Sequence, residues 1–254
     1  PWGAVHSPEQ VEEALAEYDA DTVTICHSET STGALNPVAE LTAAAHAAGD
    51  VVVLVDAVSS MAGAPLETDG WAIDYVLTGS QKALALPPGL AFAVARETVL
   101  ERARSKPDRG YYYDVLAFEK NLAKNQTPNT PAVSLVYALA AQLERIAEEG
   151  IEARWTRHAA MAQRTYDWVD ERRAAGVPVG ILAPDGFRSP TVTCVTLPEG
   201  VTGPGVVAAL RDRGYTVAPG YGRLKESTIR IGHMGDHTPD TLDGLLETLT
   251  EVLT

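Results

Sequence analysis

Helical spacing appears first in SPEQVEEALAEY, residues 7–18, where Val11, Ala14, Leu15 and Tyr18 return on one face. Ser7 stands at the N-cap, Pro8 at the first helical position and Gln10 at the spacing of a capping box. The pattern then shortens. TVTIC, residues 22–26, is a β-branched run of strand length, and the polar loop HSETSTGALNP follows it. Asn36 and Pro37 open a second helix that Gly49 closes. VVVLVD, residues 51–56, is apolar up to its last position, as a strand buried on both faces of a parallel sheet is. Residues 75–78 and 90–95 are further runs of strand length, so the alternation predicts an α/β domain with a mostly parallel sheet and helices on both faces.

After a tyrosine-rich loop, NQTPNTPAVSLVYALAAQLERI reads as a loop leading into a long helix, with Thr130 as N-cap, Pro131 at the first position, and Leu135, Leu139, Leu143 and Ile146 inward. Gly150 ends it, and a second helical stretch covers about residues 152–175. The texture then changes to TVTCVTL, VVAALRDRG, STIRIGH and a last helix capped at Thr238, with Leu242, Leu245, Leu246 and Leu249 on one face. The division expected is residues 1–149 as part of a large α/β unit and 150–254 as a small α+β unit.

Composition narrows the function classes. A formal net charge of -14 with no basic block repels phosphates and anionic lipid, which excludes nucleic acid as a partner. No apolar run approaches a membrane span. Cys26 and Cys194 both sit in strand-like runs, which points to buried free thiols and a reducing cytoplasm. The opening PWGAVHSPEQ has no initiator methionine and no signal core, so the chain is expected to begin within a longer protein.

In such sheets ligands sit beyond the carboxyl ends of the strands, and Asp56 and Lys82 both fall just past strand ends. Asp56 either solvates its strand end or pairs with a cation, of which a pyridinium nitrogen is one. Lys82 is either a solvated loop charge or an amine that bonds an aldehyde cofactor and then carries a proton. Arg230, inside the strand-like STIRIGH, either grips a carboxylate in bidentate fashion or faces water from an edge strand. The hydroxyls of the loop containing Glu29 and Thr30, with Ser80 and Gln81 beside the lysine, add donors.

VVVLVDAVSSMAGAPLETDGWAIDYVLTGSQKALALPPGLAFAVA resembles the core of class V aminotransferases of the fold-type I pyridoxal-phosphate superfamily. HSETSTGALNPV is similar to that family's H-x-E-[ST]-S-T-G loop, and TPNTPAVSLVYAL and TIRIGHMGD match its T-P-x-T and R-I-G-x-x-G elements in the same order. The resemblance implies pyridoxal 5'-phosphate as cofactor, held by Lys82, with Asp56 at the ring nitrogen and Val58 on a ring face. It further implies Thr30 at the ring hydroxyl, Gln81 at the phosphate and Arg230 on the substrate carboxylate. It implies a homodimer, in which residues 127–130, Thr130 among them, reach the neighbouring subunit's phosphate; Gln126 stands where the family often has an aromatic residue.

The activity implied is transfer of an amino group from a small amino acid such as alanine or serine to a 2-oxo acid such as glyoxylate or pyruvate, in ping-pong order. Lyases and epimerases share the electron sink. Cysteine desulfurases carry His before the lysine, where this chain has Gln81. Family members also have a preceding segment with a Gly-rich phosphate turn and a stacking aromatic residue, and neither occurs here, so an inactive fragment is the remaining alternative.

Overall fold

A computed structural model describes residues 1–253. Ser7 caps α1 (Pro8–Tyr18) as its sequence predicts: Gln10 N–H donates to Ser7 Oγ, and Ser7 N–H donates to Gln10 Oε1 at 3.0 Å. Val11 and Leu15 are buried, but Ala14 and Tyr18 are not. They border a cleft of about 850 Å³ beside the first sheet.

That sheet contains β1 (Thr22–Cys26), β4 (Val52–Asp56), β5 (Tyr75–Gly79) and β6 (Ala91–Ala95), in the order β1-β4-β5-β6. The first three run parallel and β6 is antiparallel. Side chains alternate across a strand. Val53, Val55 and Val76 therefore pack with Val38, Leu41 and Ala45 of α2 (Val38–Ala48) in one core, whereas Leu54, Tyr75 and Leu77 line the cleft on the opposite face. The register places Cys26, Asp56 and Leu77 side by side at the carboxyl ends.

Two short strands, β2 (Ser28–Glu29) and β3 (Ala34–Leu35), form a hairpin within the polar loop. Asn36 does not cap α2. Its amide donates to Cys26 O at 2.8 Å and its Oδ1 accepts from His6 N–H, because a side chain between two backbone segments finds firmer partners there than at a helix end already carrying Pro37.

Beyond β6 come α3 (Glu97–Arg104), α4 (Val115–Leu122), α5 (Val133–Glu149) and α6 (Ile151–Ala174). Thr130 is not an N-cap either: α5 begins at Val133 behind Ala132, without a side-chain cap. Pro128 and Pro131 keep 127–131 out of the helix, since proline disfavours helical geometry at the residue before it. On α5 only Gln142 and Ile146 are fully buried, and Leu143, expected inward, is half exposed.

The second sheet has the order β7-β8-β10-β9 and is antiparallel throughout: β7 (Gly180–Ile181), β8 (Val192–Thr196), β10 (Thr228–Gly232) and β9 (Ala218–Pro219). It packs on α6, α7 (Gly203–Arg211) and α8 (Pro239–Val252). Leu242, Leu245, Leu246 and Leu249 all enter this core, as their spacing predicts. Among the described residues no helix is long and apolar enough to cross a membrane.

Candidate functional site

Three chain segments meet at the hairpin between β2 and β3. Gly33 has φ +73°, and a Cβ there would lie 3.0 Å from both Cys194 N and Val192 O, so only glycine lets this turn approach β8. Ser189 N–H donates to Gly33 O at 2.8 Å, Leu35 N–H to Phe187 O at 2.8 Å, and Ser28 Oγ meets Ser189 Oγ at 2.7 Å. The hairpin is thereby sewn to the second sheet.

Thr30 lies at its tip. Its hydroxyl hydrogen-bonds the buried Ser59 hydroxyl, on the turn that follows Asp56, and its carbonyl accepts from Arg230 Nη1 at 3.4 Å. Arg230 also donates from Nε to Pro219 O at 3.0 Å. Its half-buried guanidinium points from β10 toward the end of the first sheet.

Asp56 is exposed at the end of β4, on the cleft side with Cys26 and Glu29. Val58 N–H donates to its Oδ1 at 2.9 Å, which leaves Oδ2 free among the described residues to meet a cationic partner. Burial pushes the Cys26 thiol up to about 11, and the negative charges of Glu29 and Asp56 add to it. Burial also lowers His27 to about 4, so a neutral imidazole sits between Cys26 and the hairpin, edge-on to Trp71.

Lys82 is half-buried on a loop closed by its neighbour Ser80. Ser80 Oγ donates to Pro87 O at 2.8 Å and accepts from Leu90 N–H at 3.2 Å, while Ser80 O accepts from Leu86 N–H. The double proline thus ends a ring rather than a strand. Ala83 and Leu84 anchor the far side by packing with Ile146 and Met234. Lys82 therefore extends from a braced backbone, and its ammonium makes neither an ion pair nor a hydrogen bond with the described residues. Gln81 is exposed and folds back over Gly79, where a Cβ would lie 2.8 Å from Gln81 Oε1.

Thr30, Val58 and Asp56 thus share one corner with Arg230, and the Lys82 loop touches the segment just beyond Arg230, where a Gly235 Cβ would lie 3.7 Å from Lys82 O. Thr130 stands apart, exposed on a groove formed by Leu122 and residues 125–131. Reading the sequence missed Ser59, which carries no distinguishing signal in its segment, and Arg154. Arg154 had a signal: it heads the buried α6 stripe of His158, Met161, Thr165 and Trp168, where a charge is out of place.

The class-V aminotransferase model matches residues 3–222. The chain belongs to the class-V aminotransferase family. An uncharacterized aminotransferase of Methanocaldococcus jannaschii is 40% identical over 92% of this chain and 60% of its own length. The serine–glyoxylate aminotransferase of Methylorubrum extorquens is 33% identical over the same shares. The crystal structure of an alanine–glyoxylate aminotransferase from Nostoc superposes with a TM-score of 0.92 at 28% identity, covering 100% of this chain and 67% of that one. The chain thus spans about 60% of the length of the curated relatives it matches.

Membership implies the aspartate-aminotransferase-like fold and pyridoxal phosphate as the family's cofactor. The residues fit that group. The free carboxylate oxygen of the exposed Asp56 suits a protonated ring nitrogen, and an unpaired lysine on a fixed loop suits an aldehyde.

Proposed function

We propose that the protein containing this chain is a pyridoxal-phosphate aminotransferase that moves an amino group from a small amino acid such as alanine or serine to a 2-oxo acid such as glyoxylate or pyruvate. The observation that carries this reading is the meeting at Thr30, which brings the turn after Asp56 and the guanidinium of Arg230 to one place. When bound, the cofactor supplies an electron sink for the carbanion left by proton removal from the substrate.

The residues of the chain divide the remaining work. Asp56 would keep the cofactor's ring nitrogen protonated, because a carboxylate beside a cation favours the charged form. Val58 would cover a ring face of the cofactor, Thr30 would hold its ring hydroxyl and Gln81 its phosphate. Arg230 receives the substrate carboxylate in its fork and so fixes which substrate bond faces Lys82. Lys82 would hold the cofactor through its amine, and the same amine would serve as the base and acid that moves the substrate proton. The order is ping-pong, the donor leaving as a 2-oxo acid before the acceptor enters.

We read residues 1–149 as part of the large unit and 150–254 as the small one, with the turn at Gly150, φ +83°, between α5 and α6 as the joint. A homodimer accounts for the exposed apolar stripe of Val133, Val136 and Tyr137 on α5, next to Thr130, which would then face the neighbouring site. The free thiols Cys26 and Cys194 favour a reducing compartment such as the cytoplasm.

The direct test is incubation with pyridoxal phosphate, borohydride reduction and peptide mapping. Label at Lys82, lost in Lys82→Ala together with alanine- or serine-dependent consumption of glyoxylate, is the expected result. Label at another lysine, or full turnover by Lys82→Ala, overturns the assignment.

A further inference from the structure

Arg154 is 2% exposed, on the first turn of α6, and its guanidinium joins three parts of the chain. Nη2 donates to Ala83 O at 2.7 Å and to Asp236 Oδ1 at 3.0 Å, and Nη1 donates to Glu149 Oε2 at 2.8 Å. Ala83 is the residue after Lys82, and Asp236 lies in the loop that leaves β10 beyond Arg230.

The partners are themselves held. Gln142 Nε2 donates to both Asp236 oxygens at 3.1 Å, and Arg157 pairs with Glu149 at 2.7 Å while donating to the carbonyls of Gly235 and His237. His158 Nε2 accepts from Gly235 N–H at 3.1 Å. A Cβ on Gly235 would lie 3.3 Å from Ala85 Cβ, so the two loops are in contact as well as bonded.

A buried guanidinium is a costly way to hold two loops together, since apolar packing of similar volume is often as stable. What it adds is direction. A planar fork sets the angle and distance of each acceptor, which apolar contacts do not. Here one fork sets the carbonyl beside Lys82 against the carboxylate beyond Arg230.

We infer that Arg154 is a positioning residue that holds Lys82 at a set distance and orientation from Arg230, through Ala83 O on one side and Asp236 on the other. The inference rests on the roles given above to Lys82 and Arg230. Glu149 and Asp236 complete the device by neutralising the buried charge.

The test compares Arg154→Gln and Arg154→Lys with the unsubstituted protein in two measurements that need no turnover. The first is hydrogen exchange at Ala85 and Leu86, whose amides donate to Lys82 O and Ser80 O. The second is the pH profile of Lys82 acetylation by acetic anhydride. Arg154→Gln is expected to speed both amides about tenfold or more, leave β4 and β8 amides unchanged, and shift the Lys82 profile; Arg154→Lys restores part of each. Equal acceleration everywhere, unchanged Ala85 and Leu86, or an unmoved Lys82 profile overturns the inference. Should Arg154→Gln fail to fold, Asp236→Asn takes its place in the same two measurements with the same expected outcomes, because Asp236 is about one-third exposed and Glu149 still pairs with the buried Arg154 charge. Failure of the functional reading shows separately, as absence of cofactor label at Lys82 in the unsubstituted protein.

Discussion

Arg230 and Thr30, two hundred positions apart in the chain, meet at 3.4 Å through a guanidinium N–H and a backbone carbonyl. A neutral carbonyl is a modest partner for a guanidinium, and an incoming carboxylate is a stronger one. The contact therefore holds Arg230 in place without saturating its donors.

Arg230→Lys is expected to raise KM for carboxylate substrates by about 10- to 100-fold with a smaller change in kcat, since hydrogen bonds to charged groups contribute about 1.5–3 kcal/mol and an ammonium lacks the fork. Steady-state kinetics with an amino acid and its amide separate the effects. Equal losses for both substrates would show that the carboxylate is held elsewhere.

The Cys26 thiol, pushed up to about 11 by burial and then by Glu29 and Asp56, carries little thiolate at pH 8. Ellman's reagent is expected to react about a hundredfold more slowly with it than with a free thiol, which follows from thiolate fraction. Asp56→Asn removes one of the opposing charges and quickens the reaction. A rate unaffected by that change would place Asp56 too far from Cys26 to act on it.

Three buried histidines set an acid limit on stability. Burial lowers His27 and His158 to about 4 and His233 to about 3, from an ordinary value of 6.5. The unfolded chain binds these protons first, so their contribution is full above pH 6.5 and is lost as pH falls toward 4. The slope approaches three protons, on the order of 4 kcal/mol per pH unit at most. Glu149, lowered mainly by its hydrogen bond to Arg157, and Asp236, where Arg154 and Gln142 outweigh burial, add losses at still lower pH. Urea midpoints at pH 7 and pH 5 check this; identical midpoints would contradict it, and His27→Gln should flatten the difference.

Tyr137 is 76% exposed on the apolar stripe of α5. In the proposed homodimer this stripe is covered, and Tyr137→Asp is expected to convert dimer to monomer in analytical ultracentrifugation without unfolding the chain, because burying an unpaired carboxylate is costly. A dimer of unchanged affinity would move the interface elsewhere.

What the sequence determined by itself is the local structure and the chemical types of the site. The Ser7–Gln10 cap, the apolar β4 and the leucine face of α8 all form as read, because each depends on neighbours within a few residues or one repeat of the element. Asp56, Lys82 and Arg230 were legible as charges at strand ends or within a strand, where a charge requires a reason.

Only the tertiary structure decided what those charges meet. Thr130 reads as a cap but lies outside the helix, and Asn36 spends its amide on Cys26 rather than on α2, since competing long-range partners outweigh a local preference. Gly33 is required by the approach of β8, Ser59 by Thr30, and Arg154 by the carbonyl of Ala83 seventy-one positions away. Periodicity records how an element faces a core, but not which distant segment faces it. Close packing settles that, by bringing polar groups together where each must find a partner once water is excluded.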